Sequence, residues 1–284
     1  MAAQPPAPVI VVGCQKGGIG RTAIAVNLAA MLALAGRRTL LVDLDPKGDA
    51  TVAVGLQPVT DSRSLERLSD PWRFLKDTVS ASVPPGLDVW PGGPAIQALH
   101  QELSQESEPP LGLLDRGLSL ARQRYRAIVI DAPPDLGPLA CNALAAVDVL
   151  LLPLPEHASG FERALEDTVA TASTLRADVE VYGVRLGGRD DLIVEAPEGE
   201  DDDLPARGPL GIELLDCTIC YDAKVFSDAA SQGLPVFEWD PSSRVSRCFL
   251  ELGREVLAKV VSAGSRSWRG SAGSGSQPQV TEET

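Results

Sequence analysis

Residues 13–22, GCQKGGIGRT, set four glycines, a lysine, an arginine and a threonine between the apolar run VIVV and a helical pattern. This is an arrangement for holding phosphate. Glycines at 17, 18 and 20 let successive backbone N–H groups converge on an anion, and the N-terminus of the following helix adds partial positive charge. The Thr22 hydroxyl is placed to ligate Mg²⁺. The general phosphate-loop pattern G-x-x-x-x-G-K-[ST] nevertheless fails twice, at Gln15 and at Arg21. Taken alone, such a segment could be a glycine turn that binds nothing.

The carboxylates argue otherwise. LLVDLDPKGDAT (40–51) puts Asp43 and Asp45 at the C-terminal end of an apolar run, and YRAIVIDAPPDLG (125–137) does the same with Asp131. In open α/β sheets, ligands lie beyond the carboxyl ends of the strands. One strand-end aspartate is commonly a helix cap. Three of them beside a glycine loop can converge where Mg²⁺ and an attacking water would sit.

The elements that must position these groups are short apolar runs alternating with longer helical patterns. Strands are expected at 9–12, 39–44, 87–90, 127–130, 149–152 and 181–186, and helices at 22–35, 95–103, 111–124, 161–175 and 245–261. Runs that are apolar throughout suit parallel strands covered on both faces. The alternation predicts an α/β fold, a doubly wound and mostly parallel sheet with helices on both faces, in a single domain over 9–261. Residues 1–8 read as a flexible N-terminus without the features of a secretion signal, 58–86 as irregular and 187–209 as an acidic surface loop. From 262 to 284 a Ser/Gly-rich tail is expected to be disordered. The last helix has a broad apolar face but mixed charges, which favours packing on the sheet over a membrane surface.

Composition narrows the partners. The formal charge of −14 opposes non-specific binding to nucleic acid, which depends on lysine and arginine displacing counterions. No apolar run has the length needed to cross a bilayer. Five scattered cysteines fit free thiols in a reducing cytoplasm, and the Cys217–Cys220 pair, lacking a second CxxC, reads as buried structural thiols rather than a zinc or cluster site.

With these motifs in place, the chain resembles the ParA/MinD family of P-loop ATPases and is closer to the ParA branch. KGGIGRT (16–22) is similar to the family's deviant Walker A motif KGGxGK[ST], which also lacks the first glycine. DLDPKGDAT resembles DxDPQGNAT, and DAPPDLGPLACNALAAVDVLLLPL resembles the Walker B segment. SDAASQGLPVFEWDPSSRVSRCFLELGREV is similar to the family's C-terminal pattern, so the likeness runs over roughly 9–261. It implies ATP and Mg²⁺ as cofactors and an ATP-dependent homodimer. Lys16 would reach across that dimer to the partner's nucleotide. Gly17, Gly18, Ile19, Gly20, Arg21, Thr22 and Ala23 would form the phosphate loop, with Thr22 on the metal. Asp45 would position the attacking water, Asp43 would support the metal site, and Asp131 would bind Mg²⁺ through water.

The resemblance also implies a slow, Mg-dependent ATPase that acts as a partitioning or positioning switch, with a protein partner that stimulates hydrolysis or links cargo. Two departures qualify it. Arg21 keeps the positive charge but has a larger, planar head than lysine, so binding is expected to persist while hydrolysis is slow or conditional. Tyr221 and Asp222 stand about where the family carries DNA-binding arginines, which leaves DNA binding weak or absent. A non-hydrolysing scaffold is the competing reading. A cluster-bearing reductase like the nitrogenase iron protein, which shares DPK, is less favoured because its cysteine segments are not evident.

Overall fold

The computed structural model describes residues 5–61, 65–82, 84–155, 161–187, 207–220 and 222–267, with 260–267 described as backbone only. Eight strands are present among these residues: β1 (Val9–Val12), β2 (Thr39–Asp43), β3 (Val79–Ser80), β4 (Leu87–Trp90), β5 (Ala127–Asp131), β6 (Val149–Pro155), β7 (Glu180–Gly187) and β8 (Glu213–Cys220). The helices are α1 (Arg21–Leu34), α2 (Asp49–Ala53), α3 (Leu65–Ser69), α4 (Pro71–Lys76), α5 (Pro94–Gln105), α6 (Leu113–Leu118), α7 (Ala121–Arg124), α8 (Pro138–Ala145), α9 (Glu162–Leu175), α10 (Ala223–Ser231), α11 (Val236–Trp239) and α12 (Arg244–Ser267).

The strands form one sheet in the order β3-β4-β2-β5-β1-β6-β7-β8. All neighbours run parallel except the short edge strand β3, which is antiparallel to β4. Successive residues of each strand point to opposite faces. Ile10 and Val12 accordingly join the apolar layer beneath α1 and α12, while Val9 and Val11 join the layer beneath α5, α6, α8 and α9. Both layers are buried, which is why the central strands carry almost no polar residues. The expected doubly wound architecture is the observed one.

Several local expectations are corrected. The stretch 58–86 is not simply irregular: it holds α3, α4 and β3. Pro71 sits in the first turn of α4, where a missing N–H costs nothing, and Asp70 caps that helix by accepting from the Arg73 N–H. The helix expected over 111–124 is two short ones, α6 and α7, separated at Ser119–Leu120. Five further elements fall outside the expected strands and helices: α2, α8, α10, α11 and β8. In β8 the reason is visible as a register shift opposite Gly183–Arg185 of β7, which interrupts alternation. There the Asp216 and Cys217 N–H groups both donate to the Glu255 carboxylate, and Arg185 donates to the Leu215 carbonyl.

The limits of the domain also move. Ala7 is buried and its N–H donates to the Arg122 carbonyl, so order begins before residue 9. Helix α12 continues to Ser267, past the expected start of the tail at 262. The acidic loop expected at 187–209 and the tail from 268 onward fall, for the most part, outside the described residues. Cys217 is buried as expected, but Cys220 is only half-buried and its sulfur faces Cys248 of α12.

Candidate nucleotide site

Strand β1 lies between β5 and β6, at the point where the chain's path across the sheet reverses. A crevice opens beyond the strand ends at such a switch point. Register brings the site together there: Val12 and Asp43 are both level with Asp131. Residues 13–20 fill the connection from β1 to α1. Gly18 and Gly20 have φ of +74° and +81°, a region that residues with a Cβ enter only under strain. A Cβ on Gly20 would also press within 3.3 Å of Leu186.

Gly20 is the N-cap of α1 and offers no side chain to the first N–H groups, and no acid stands in the first turn. The helix end is thereby left suited to an external anion. Ile19 buries its side chain in the core, which anchors the loop and leaves its backbone for contact. Gly17 and Gly18 have open space where a Cβ would stand, Gly17 and Gly18 are exposed, and Ala23 is half-buried in the first turn. Lys16 is half-buried with its ammonium 5.9 Å from the centre of the Phe161 ring.

Behind the loop lie three aspartates and one arginine, all buried. The Thr22 hydroxyl donates to Asp131 Oδ2 at 2.8 Å, while Asp131 Oδ1 is buried with no hydrogen-bond partner. Burial, and then the charge of Asp43, raise the Asp131 carboxyl well above its ordinary range, against the opposing pull of Thr22 and Arg21. Asp43 is pushed up to about 6, chiefly by burial. Its partners oppose that shift: Oδ2 accepts from the Thr51 hydroxyl (2.6 Å) and N–H (2.8 Å), and Oδ1 from the Asp45 N–H (3.1 Å). Asp45 Oδ1 accepts from the Lys47 N–H at 2.9 Å, which fixes the turn after β2.

Arg21 is turned inward. Its guanidinium Nη1 donates to the Ala132 carbonyl, next to Asp131, and its Nε is buried without a partner. Thus the arginine that replaces the expected lysine is engaged with the end of β5.

Expectation and structure agree on convergence, since Asp43, Asp45, Asp131, Thr22 and Arg21 come together at one place. Three participants carried no assigned role. Thr51, inside the DPKGDAT segment, holds Asp43 and also accepts from the Gly92 N–H at 2.8 Å. Gly92 leaves room for Asp43, because a Cβ there would fall 2.5 Å from the carboxyl carbon. Thr168 on α9 accepts from the Gln15 N–H at 3.2 Å and steadies the start of the loop. Thr51 lies within a recognisable motif, whereas Thr168 is placed by a contact distant in sequence.

Mg²⁺ fits these residues. An unpartnered buried carboxylate oxygen, a neighbouring hydroxyl and mutually repelling aspartates together form an oxygen site whose negative charge the single Arg21 guanidinium does not balance. Among the described residues, no three acidic, histidine or cysteine side chains could hold a metal ion by themselves. Mg²⁺ is commonly held by one or two carboxylates together with phosphate oxygens and water.

A parallel sheet with a glycine loop, an uncapped helix N-terminus and strand-end aspartates at its switch point defines a P-loop nucleoside-phosphate-binding protein. The AAA_31 family model, an AAA domain, matches residues 7–179. The chain belongs to the ParA/MinD family of P-loop ATPases, in its ParA/Soj-like partitioning group. It is 32% identical to the sporulation initiation inhibitor protein Soj of Bacillus subtilis, over 88% of this chain and 98% of that protein. It is 31% identical to the chromosome partitioning protein ParA of Myxococcus xanthus, over 88% of each.

Among solved structures, septum site-determining protein MinD of Pyrococcus horikoshii complexed with Mg-ADP superposes with a TM-score of 0.64. It is 21% identical and is matched over 89% of this chain and 98% of its own. Cobyrinic acid a,c-diamide synthase of Mycobacterium smegmatis, with bound ATP analogue and magnesium, gives a TM-score of 0.56 at 26% identity, over 63% of this chain and 75% of its own.

Proposed function

We propose that this protein binds ATP with Mg²⁺, dimerises around the nucleotide and hydrolyses it slowly, as a cytoplasmic switch that positions or partitions a cargo through a protein partner. The observation that carries this reading is the convergence of Thr22, Asp43, Asp45 and Asp131 behind an open phosphate loop. The backbone N–H groups of 17–23 receive the phosphates. Thr22 and Asp131 would hold Mg²⁺, with Asp43 steadying Asp45 from behind; when bound, the ion neutralises charge on the phosphates. Asp45, fixed by the turn to Lys47, orients the attacking water. Lys16 stands at the mouth of the loop, where it would meet the nucleotide of a second copy. Phosphoryl transfer needs chiefly positioning and charge neutralisation, so these groups suffice for a slow rate.

Binding of a non-hydrolysable ATP analogue and the monomer–dimer balance should be measured for wild type and Lys16→Ala. Wild type is expected to dimerise with analogue and Mg²⁺, and the variant to bind but remain monomeric. Equal dimerisation of both would remove the cross-dimer role. Phosphate release should then be compared with Asp45→Ala as the blank.

One observation favours a second reading, a non-hydrolysing scaffold. The Arg21 guanidinium is held at the Ala132 carbonyl, and a charge anchored there is poorly placed to follow the γ-phosphate. Turnover equal to the Asp45→Ala blank, with and without candidate protein partners, would select the scaffold.

A further inference from the structure

The sulfurs of Cys220 and Cys248 lie 3.2 Å apart, joining the C-terminal end of β8 to α12. A disulfide needs ~2.05 Å, so modest side-chain rotation separates contact from bond. Cys220 is half-buried and Cys248 is 9% exposed; Cys217, also buried, lies near enough to Cys248 to feel its charge but does not share the sulfur–sulfur hydrogen bond. The contact also tunes the thiols: the hydrogen bond between the two sulfurs, in which either can be the donor, lowers Cys248 to about 6, with Arg244 assisting and burial and Glu251 opposing; the same bond, with burial, pushes Cys220 up. A lowered thiol favours the thiolate, the form that exchanges with disulfides.

We propose that Cys220 and Cys248 are a reversible dithiol–disulfide couple, oxidised by a low-molecular-weight disulfide and reduced by the corresponding thiol. A thiolate of the pair attacks one sulfur of the small disulfide; that S–S bond breaks, one small thiolate leaves, and a mixed disulfide forms. The second cysteine loses its proton to the departing thiolate and attacks the mixed disulfide; that S–S bond breaks, and the other small molecule leaves as a thiolate that takes up the proton released when the first cysteine ionised. Two protein thiols are oxidised to one disulfide, and one small disulfide is reduced to two thiols.

The bond closes residues 220–248 into a ring that contains all of α10 and α11. Helix α10 is followed by Gly233, whose Cα region meets Gly55 at the end of α2, and α2 carries the Thr51 that holds Asp43. Oxidation thus ties down the segment that backs the nucleotide site. In a reducing cytoplasm, disulfides of this kind are transient or redox-sensing rather than structural.

The test uses the full chain equilibrated in glutathione and glutathione-disulfide mixtures from reducing to oxidising, quenched in acid, alkylated and mapped by mass spectrometry. A Cys220–Cys248 cross-link is expected to appear as the mixture becomes oxidising and to vanish with dithiothreitol, while the other three cysteines stay alkylated. Wild type should also melt at a higher temperature oxidised than reduced, and Cys220→Ser should melt at one temperature in both. No cross-link at the most oxidising ratio, a cross-link to another cysteine, or one that dithiothreitol cannot reverse would each overturn the proposal. The mapping on wild type decides even if a serine variant folds poorly.

Discussion

At the residue scale, the behaviour of Arg21 decides how much chemistry the loop performs. Lysine is a compact point charge on a flexible stem, whereas the guanidinium is a planar fork that prefers fixed acceptors. Here the fork has found one, the Ala132 carbonyl, at the cost of an unpartnered Nε. Arg21→Lys frees that carbonyl and returns a mobile charge to the loop. Turnover is expected to rise by about tenfold, which corresponds to ~1.4 kcal/mol in the barrier. An unchanged or lower kcat in a steady-state phosphate-release assay would show that the arginine does not limit the rate.

The aspartates give a second prediction at the same scale. Asp43 is held up to about 6 against an ordinary 3.8, so between these values the folded protein binds more protons than the unfolded chain. Stability therefore falls as pH rises from about 4 to 6 and stays at its lower level above that. Asp131, raised by burial and by Asp43, acts in the same direction. Asp131→Asn removes the repulsion and can still accept from Thr22. It is expected to raise the melting temperature of the nucleotide-free protein at pH 7 while abolishing Mg-dependent nucleotide binding. A variant that melts below wild type would sink the claim that this carboxylate is a stability cost retained for function.

At the element scale, the site depends on contacts that local patterning does not encode. The strands were legible because parallel strands buried on both faces must be apolar throughout, and their C-terminal aspartates broke that rule at Asp43 and Asp131. The loop was legible because glycine enters without strain the backbone region found at Gly18 and Gly20. Less visible were the inward turn of Arg21, which acts across 111 residues, the Thr51–Gly92 link across 41, and the Cys220–Cys248 contact across 28. Those follow from which elements the sheet order sets side by side. Short α2 shows the difference: it has no amphipathic pattern, yet it fastens β2 to the end of β4 through one hydroxyl.

Thr51→Val keeps the shape of that side chain and removes the hydroxyl, leaving the Gly92 N–H buried and unpaired. The expected loss is about 1–3 kcal/mol in denaturant unfolding, with weaker nucleotide binding. An unchanged midpoint would mean that the Asp43 cluster does not need this link. Glu255 plays a comparable part at the other edge. It caps two adjacent N–H groups where β8 slips register, so Glu255→Ala is expected to cost about 1–2 kcal/mol and Glu255→Gln less. Equal midpoints for both variants and wild type would show that water serves the slipped strand as well.

At the scale of the whole molecule, the question is which surface the protein works against. No helix among the described residues is long and apolar enough to cross a membrane. The formal charge of −14 sets a repulsive field toward polyanions, and only a local basic cluster could overcome it. The family resemblance places DNA-binding arginines at about residues 221 and 222, just before α10, and α10 itself offers Lys224 alone against Asp228. Asp222 is committed instead to capping that helix, accepting from the Lys224 and Val225 N–H groups at 2.9 and 3.0 Å. An acid in that place both starts the helix and repels phosphate, so one residue type serves the fold while opposing the ligand. Mixed-sequence duplex DNA should therefore show no retention by the ATP-analogue-bound protein at about 0.15 M salt, the ionic strength at which charges more than ~8 Å apart are largely screened. Lowering the salt should bring at most weak binding, with a shallow dependence of log K on log salt, because few phosphates can be neutralised. Tight binding at 0.15 M with a steep slope would overturn the argument from charge. It would also return the chromosome to the surfaces compatible with the proposed function.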